Sequence, residues 1–338
     1  MTPPSPPEGD YFRLRAEWLR FKNHVFDANT ELPTLAAVLD DVRRLMEERG
    51  TLGLIYFDLG GDGEVEPRHG WQTYDELVRG FAAAILALRQ ESLLGSRDIV
   101  AVTSVRSDKF LIFLRGQDAL PLDPAGLEGR SRRLRDRLKE TLPTHVPREI
   151  QGPVLFHAGH SLMYRDPMLR AERSIHRALD EAMFMSLRQR TREEDRRAQG
   201  LDEIIGGQQV VTLYQPILDL RTGAVLGHEV FTRGPAGGPF EEAERLFALA
   251  ERTGRLVELE RLCRSRAFAS VGRHLPRGSK LFLNTSVHAL RDSDVAGAGF
   301  IRQVEQHGLR HQDVVLEITE RLAQDERQSY QQVLRDLK

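Results

Sequence analysis

Glu229, Asn284 and Glu317 are three hard oxygen donors, each set in or at the end of an apolar run: AVLGHEVFTR, KLFLNTS and DVVLEITE. Two carboxylates and a carboxamide suit Mg²⁺ or Mn²⁺, which can polarise a phosphodiester and activate water. Arg233 follows Glu229 by four residues, and because side chains alternate along a strand, Glu229, Phe231 and Arg233 share a face. A carboxylate and a guanidinium so placed form either a salt bridge or a shared ligand site. In the third run Thr319 shares the face of Glu317, and Glu320 lies on the other. Any one of these residues alone reads as a strand-end polar group bonded to backbone; three together read as a site. An earlier candidate is Asp58, which closes the apolar run LGLIYFD. About fifty residues on, Arg106, Ser107 and Asp108 separate DIVAVTSV from KFLIFL, a spacing that suits an antiparallel hairpin with its tip in solvent. Asp58 beside that tip either caps the strand end or holds a divalent cation against a triphosphate.

The elements that would carry these residues follow from periodicity. A helical pattern starts at Tyr11, and a second, after Asn29 to Pro33, places Leu35, Val38, Leu39, Val42, Leu45 and Met46 at helical spacing. The strand at 52–58 leads through a Gly-rich turn to a helix with Trp71, Tyr74, Leu77, Val78, Phe81 and Ile85 on one face. The hairpin, a helix near 127–141 and a strand near 153–163 complete one α+β domain. The stretch from 167 to 200 is helical and dense in Arg and Glu, which reads as a solvated linker. From Val210, strands alternate with helical patterns near 241–252 and 256–273, as in a parallel βα architecture. In a βα barrel, polar groups at the carboxyl ends of different strands converge on one mouth, where active sites lie.

Composition narrows the partners. The 338 residues are 40% hydrophobic and 29% charged, enough for two ordinary domains. With 48 Lys+Arg against 50 Asp+Glu the formal net charge is -2, which favours neither nucleic acid nor an anionic membrane. There is no apolar run of about 18 residues and no signal-peptide pattern, so a cytoplasmic location is expected. The amino-terminal MTPPSPPEGD has no large apolar side chain beyond Met1, so residues 1–10 are expected to be a disordered tail. The one cysteine, Cys263, excludes an internal disulfide and reads as a structural thiol.

The first domain resembles the GGDEF family of diguanylate cyclases, in ANTELPTLAAVLDDV and in the course from Leu54 to Phe110. The resemblance puts the metal-binding Asp at Asp58 and the guanine-reading Asp at Asp75. The signature itself is replaced: Arg106-Ser107-Asp108-Lys109-Phe110 stands where the family has Gly-Gly-Asp-Glu-Phe. Arg106 and Ser107 add side chains where glycines let backbone approach a nucleotide. Lys109 puts a cation at a metal-binding carboxylate position. Glu66 stands at the guanine-reading Asn position, and the loop GGDGEVEPRHG lacks the phosphate-contacting Lys. The product-inhibition motif keeps Arg97 but has Val100 in place of Asp. The resemblance implies no cyclase activity and at most weak GTP or GDP binding.

The second domain resembles the EAL family of cyclic-di-GMP phosphodiesterases, through QPILDLRTGAVLGHEVFTR, LFLNTS and VVLEITE in order and spacing. By that resemblance Glu229, Asn284 and Glu317 ligate Mg²⁺ or Mn²⁺, and Arg233 contacts a substrate phosphate. Glu320 supports the site, and Tyr214-Gln215-Pro216 lines the guanine side. Glu-Val-Phe replaces the Glu-Ala-Leu of the family name. The family's Asp-Asp pair, Lys and further Glu fall beyond Lys338, which implies an incomplete metal site, an open half barrel and no hydrolysis by this chain.

The expected fold is therefore α/β. It comprises a tail (1–10), a helix (11–28), an α+β GGDEF-like domain with a mixed or antiparallel sheet (29–166), a helical linker (167–207) and a partial TIM-like EAL barrel (208–338). The expected function is cyclic-di-GMP signalling by a regulatory or ligand-binding module with a protein partner or a homo-oligomer. The alternatives are the amino-terminal portion of a longer metal-dependent phosphodiesterase and a nucleotide-independent scaffold.

Overall fold

The computed structural model describes residues 8–60, 65–116, 122–150, 154–274, 279–286 and 289–318. The chain divides into two compact units, Met1–Glu193 and Glu194–Lys338. Among the described residues no helix is long and apolar enough to cross a membrane.

The first unit opens with α1 (Glu8–Val25), α2 (Leu35–Arg49) and β1 (Thr51–Asp58), followed by α3 (Val65–His69) and α4 (Trp71–Ala87). It continues with β2 (Ile99–Val102), β3 (Lys109–Leu114), α5 (Pro124–Thr141), β4 (His157–Tyr164) and the long helix α6 (Ala171–Gly206). Helix α1 begins at Glu8, inside the stretch expected to be a tail, directly after the Pro-rich run ends at Pro7. The sheet order is β2-β3-β1-β4 and every pairing is antiparallel.

Strand β1 reads as an unbroken apolar run because both of its faces are covered. Ile55 and Phe57 join Phe110 and Ile112 of β3 and Phe81 and Ile85 of α4 in one core. Leu52, Leu54 and Tyr56 face the other way, against Val38, Val42 and Met46 of α2 and Ile175, Ala178 and Ala182 of α6.

Helix α6 is a correction to the solvated linker. Its first half buries Ile175, Ala178 and Ala182 in the first unit, and its second half buries Leu201 and Ile204 with Leu246, Leu249 and Leu259 in the second. Most of its Arg and Glu point outward, while Glu181 turns in to accept from Ser161 of β4 at 2.6 Å. Small residues make the close approach: a Cβ on Gly159 of β4 would lie 1.8 Å from the Ala182 carbonyl oxygen. Gln189 Oε1 accepts from the Ala158 N–H at 3.1 Å, which ties the helix to the start of β4.

The second unit continues with the hairpin β5 (Val211–Leu218) and β6 (Val225–Arg233), then α7 (Ala243–Arg252), α8 (Leu256–His274) and β7 (Lys280–Thr285). The short α9 (Ser293–Ala296), α10 (Ala298–Gln306) and β8 (Val314–Ile318) follow. The sheet order is β5-β6-β7-β8; β5 pairs antiparallel with β6, and the two later pairings are parallel, as strand and helix alternation implies. One face of this sheet buries Val230, Leu281 and Leu283 against Phe268 and Val271 of α8 and Phe300 and Val304 of α10. The chain is thus mixed α/β with two four-stranded sheets among its described residues.

Candidate functional site

In the first unit, the end of β1 meets the start of β3. Asp58 is the register partner of Lys109, and on its other side of His157. Lys109 Nζ lies 2.9 Å from Asp108 Oδ1 and 3.9 Å from Asp58 Oδ1, so an ammonium bridges the two carboxylates. The Tyr74 hydroxyl donates to the second oxygen of Asp108 at 2.6 Å. Burial alone would raise the Asp108 carboxyl, but the hydrogen bonds from Tyr74 and Lys109 together outweigh it and hold it below the usual carboxylate range. Burial also opposes the charge on Lys109, yet the two carboxylates prevail and push its pKa up. Burial and the Asp108 bond raise the Tyr74 phenol far out of the physiological range.

The hairpin tip is less exposed than its sequence suggests. Arg106 is exposed, but Ser107 is 9% exposed and bonded through Oγ to Thr103 Oγ1 at 2.7 Å and to the Lys109 N–H at 3.1 Å. Arg106 adopts φ +55°, the left-handed region that favours glycine, so the turn geometry persists without the residue that adopts it freely. The cost is offset by Asp27, buried at 1% exposure, which accepts the Arg106 N–H at 2.6 Å and also binds Thr30. Asp75 sits next to Tyr74 on α4, half-buried, with its carbonyl accepting from Asn29 Nδ2. Phe110 lies in the core against Phe81.

At the opposite end of the same sheet is a cavity of about 620 Å³ lined by Arg97, Arg115, Arg130 and Arg133. Asp98, buried at its floor, accepts from Gly95 N–H, Arg115 N–H and Arg130 Nη2. Of this group the sequence flags Arg97 alone. The others come from two segments, LRG at 114–116 and RSRRL at 130–134, that only the fold brings together.

In the second unit, register defines the open face. Gln215 pairs with Glu229, Glu229 with Phe282, and two residues further along β7 Asn284 pairs with Glu317. Gln215, Glu229, Asn284 and Glu317 therefore occupy four adjacent strands on the face opposite α8 and α10. Asn284 Nδ2 donates to Glu229 Oε1 at 2.9 Å, leaving the carboxamide oxygen as an acceptor. Partial burial raises the Glu317 carboxyl, and the like charge of Glu229 raises it further. Arg233 shares this face, with Nη1 donating to the carbonyl of Thr232 at 3.1 Å.

Tyr214 takes the other face: its hydroxyl donates to the Ala267 carbonyl at 2.7 Å and lies 2.8 Å from Ser270 Oγ. Strand alternation thus separates it from Gln215, and it anchors β5 to α8 instead of lining the open face. Burial pushes the Cys263 thiol up to about 11, away from thiolate chemistry. Thr319 and Glu320 lie outside the described residues. Among the described residues no three His, Cys, Asp or Glu side chains form a metal-holding group. The open face instead pairs two carboxylates with a carboxamide, and their mutual repulsion is the feature that a divalent cation would relieve.

The EAL domain family model matches residues 198–338. No curated protein matches the chain. Among solved structures it is similar to Vibrio cholerae LapD, S helix-GGDEF-EAL bound to c-di-GMP, at 14% identity over 97% of this chain and 78% of that one, with a TM-score of 0.38. It is similar to the Xanthomonas citri FimX EAL domain in complex with c-diGMP at 20% identity, covering 44% of this chain and 59% of that one, with a TM-score of 0.38. It is also similar to the coiled coil and GGDEF domain of DgcB from Caulobacter crescentus in complex with c-di-GMP, at 18% identity over 54% and 89%, with a TM-score of 0.39.

Proposed function

We propose, from the premise that residues 198–338 are an EAL domain, that this chain is a cyclic-di-GMP signalling protein whose open sheet face binds the dinucleotide with a divalent cation. The observation that carries the reading is the juxtaposition of Glu229, Asn284 and Glu317 on three adjacent strands, with Asn284 bonded to Glu229. These three side chains would hold Mg²⁺ or Mn²⁺, which would supply positive charge to a phosphodiester oxygen. Arg233 brings a guanidinium to the same face, suited to the other phosphate oxygens. Gln215, beside Glu229, offers both a donor and an acceptor to a base edge. In this reading the strands and helices of the unit belong to a βα barrel, with the open face on its inside.

The first unit is, in the same reading, a GGDEF-like domain that makes no cyclic-di-GMP. Its acidic pair Asp58 and Asp108 already has a cation in Lys109, which opposes a second one by direct repulsion. Its role is regulatory, exerted on the EAL domain or on a protein partner or second copy of the chain. A nucleotide-independent scaffold fits less well, since a scaffold has no need of oxygen donors gathered on one open face.

Calorimetric titration of the purified chain with cyclic-di-GMP, with and without Mg²⁺, tests the binding claim, and following the linear dinucleotide separates binding from hydrolysis. Heat that requires Mg²⁺ supports the reading. No heat leaves the scaffold.

A further inference from the structure

Behind the open face, on its covered side, lies a charge pair that neither packing nor the proposed ligands explain. Glu260 and Arg264 stand one turn apart on α8 and are 4% and 3% exposed. Their contacts converge on the end of β7. Arg264 Nη2 donates to Thr285 Oγ1 at 2.7 Å and lies 3.5 Å from Glu260 Oε2. Glu260 Oε1 accepts the N–H of Ser286 at 3.0 Å. The guanidinium also stacks 5.4 Å from the centroid of Phe300. Its Nε and Nη1 are buried and have no hydrogen-bond partner among the described residues.

Apolar residues of similar volume would pack here at least as stably, because two buried charges lose more hydration than an imperfect pair returns. What the pair supplies is direction. The two residues it grips, Thr285 and Ser286, immediately follow Asn284. Thr285 points to the covered side and Asn284 to the open one, so fixing the backbone at 285 and 286 fixes where the Asn284 carboxamide emerges beside Glu229.

We infer that Arg264 and Glu260 are positioning residues for the Asn284–Glu229 pair, acting through Thr285 Oγ1 and the Ser286 N–H. The inference rests on the reading of the open face as a ligand site, and deepens it by naming what holds that site from behind.

The test uses a feature of the sequence: the chain has three asparagines, Asn23, Asn29 and Asn284. Selective ¹⁵N labelling of asparagine side chains therefore gives three carboxamide signals, and Asn284→Asp identifies the one from Asn284. Thr285→Val keeps the volume and branching but removes the acceptor for Arg264; Thr285→Ser keeps the hydroxyl and removes a methyl. Positioning predicts that Thr285→Val shifts the Asn284 signal and weakens Mn²⁺ binding about tenfold, as loss of an outer partner does. It predicts that Thr285→Ser restores both. Arg264→Met moves the signal in the same direction as Thr285→Val.

The reverse pattern, with Val silent and Ser disruptive, would mean that Thr285 only fills space and would overturn the inference. So would an Asn284 signal unmoved by all three variants. A wild-type chain that binds no Mn²⁺ counts against the ligand reading itself, and the asparagine signal still judges the positioning.

Discussion

Lys109 stands between Asp108 and Asp58 as a built-in counter-cation, and its removal should expose what it holds together. Lys109→Met leaves two carboxylates facing each other at the end of the sheet. Its side chain is 37% exposed, so solvent screening limits the expected loss to about 1 kcal/mol or less. The sign with pH follows from Asp108. A carboxyl held below its ordinary value contributes stability that is complete above that value and lost as pH falls through the depressed one. The melting difference between wild type and Lys109→Met should therefore be present at neutral pH and vanish in strong acid; calorimetric scans across pH would show a constant difference if Lys109 plays no such part. Glu317 behaves in the opposite sense, since burial and the Glu229 charge raise it. Divalent-cation binding should begin to fail at a higher pH than an ordinary glutamate would set, as Glu317 takes up a proton. Glu229→Gln should bring the Glu317 titration part of the way back, leaving the burial contribution, and carboxyl NMR would follow it directly.

At the scale of elements, Gly159 sets how closely α6 lies on the first sheet. Gly159→Ala drives a methyl into the Ala182 carbonyl, and overpacking of that kind costs about 1–3 kcal/mol. Urea unfolding should show the loss in the first unit; a neutral result would mean that the helix is not seated as described. In the second unit, Tyr214→Phe removes the hydroxyl that ties β5 to α8, at a cost of about 1 kcal/mol, and should leave cyclic-di-GMP affinity nearly unchanged because Tyr214 is on the covered face. Most of these elements were legible in the sequence, because apolar runs such as LGLIYFD and helical spacings such as Val38, Val42 and Met46 report burial directly. Helix α6 departs from a solvated linker for a physical reason. A long helix with a narrow stripe of Ala and Ile and a broad charged face has the composition of a solvated rod, and only the facing Gly159 shows that the stripe is buried.

For the whole molecule, the sequence revealed the residues of the open face but not how they are supported. Glu229, Asn284 and Glu317 could be named from strand-end spacing and family resemblance, since each motif is local. The register that places Glu229 across from Phe282 and Asn284 across from Glu317 is a product of pairing between distant segments. The convergence of Arg115, Arg130 and Arg133 on the cavity and the contacts of the Glu260–Arg264 pair with Thr285 and Ser286 depend on the same long-range assembly. The two units also carry separate functional expectations. Incubated with GTP and Mg²⁺, the chain should form no cyclic-di-GMP, and appearance of the product would show that Lys109 does not disable the first unit. Ligand binding by the second unit is decided by calorimetric titration of the full chain with cyclic-di-GMP in Mg²⁺, beside its Glu229→Gln variant. Saturable heat is expected for wild type and an affinity lower by about tenfold or more, roughly 1.4 kcal/mol, in the variant. Equal affinity in the two proteins, or no heat in either, would contradict binding at the open face.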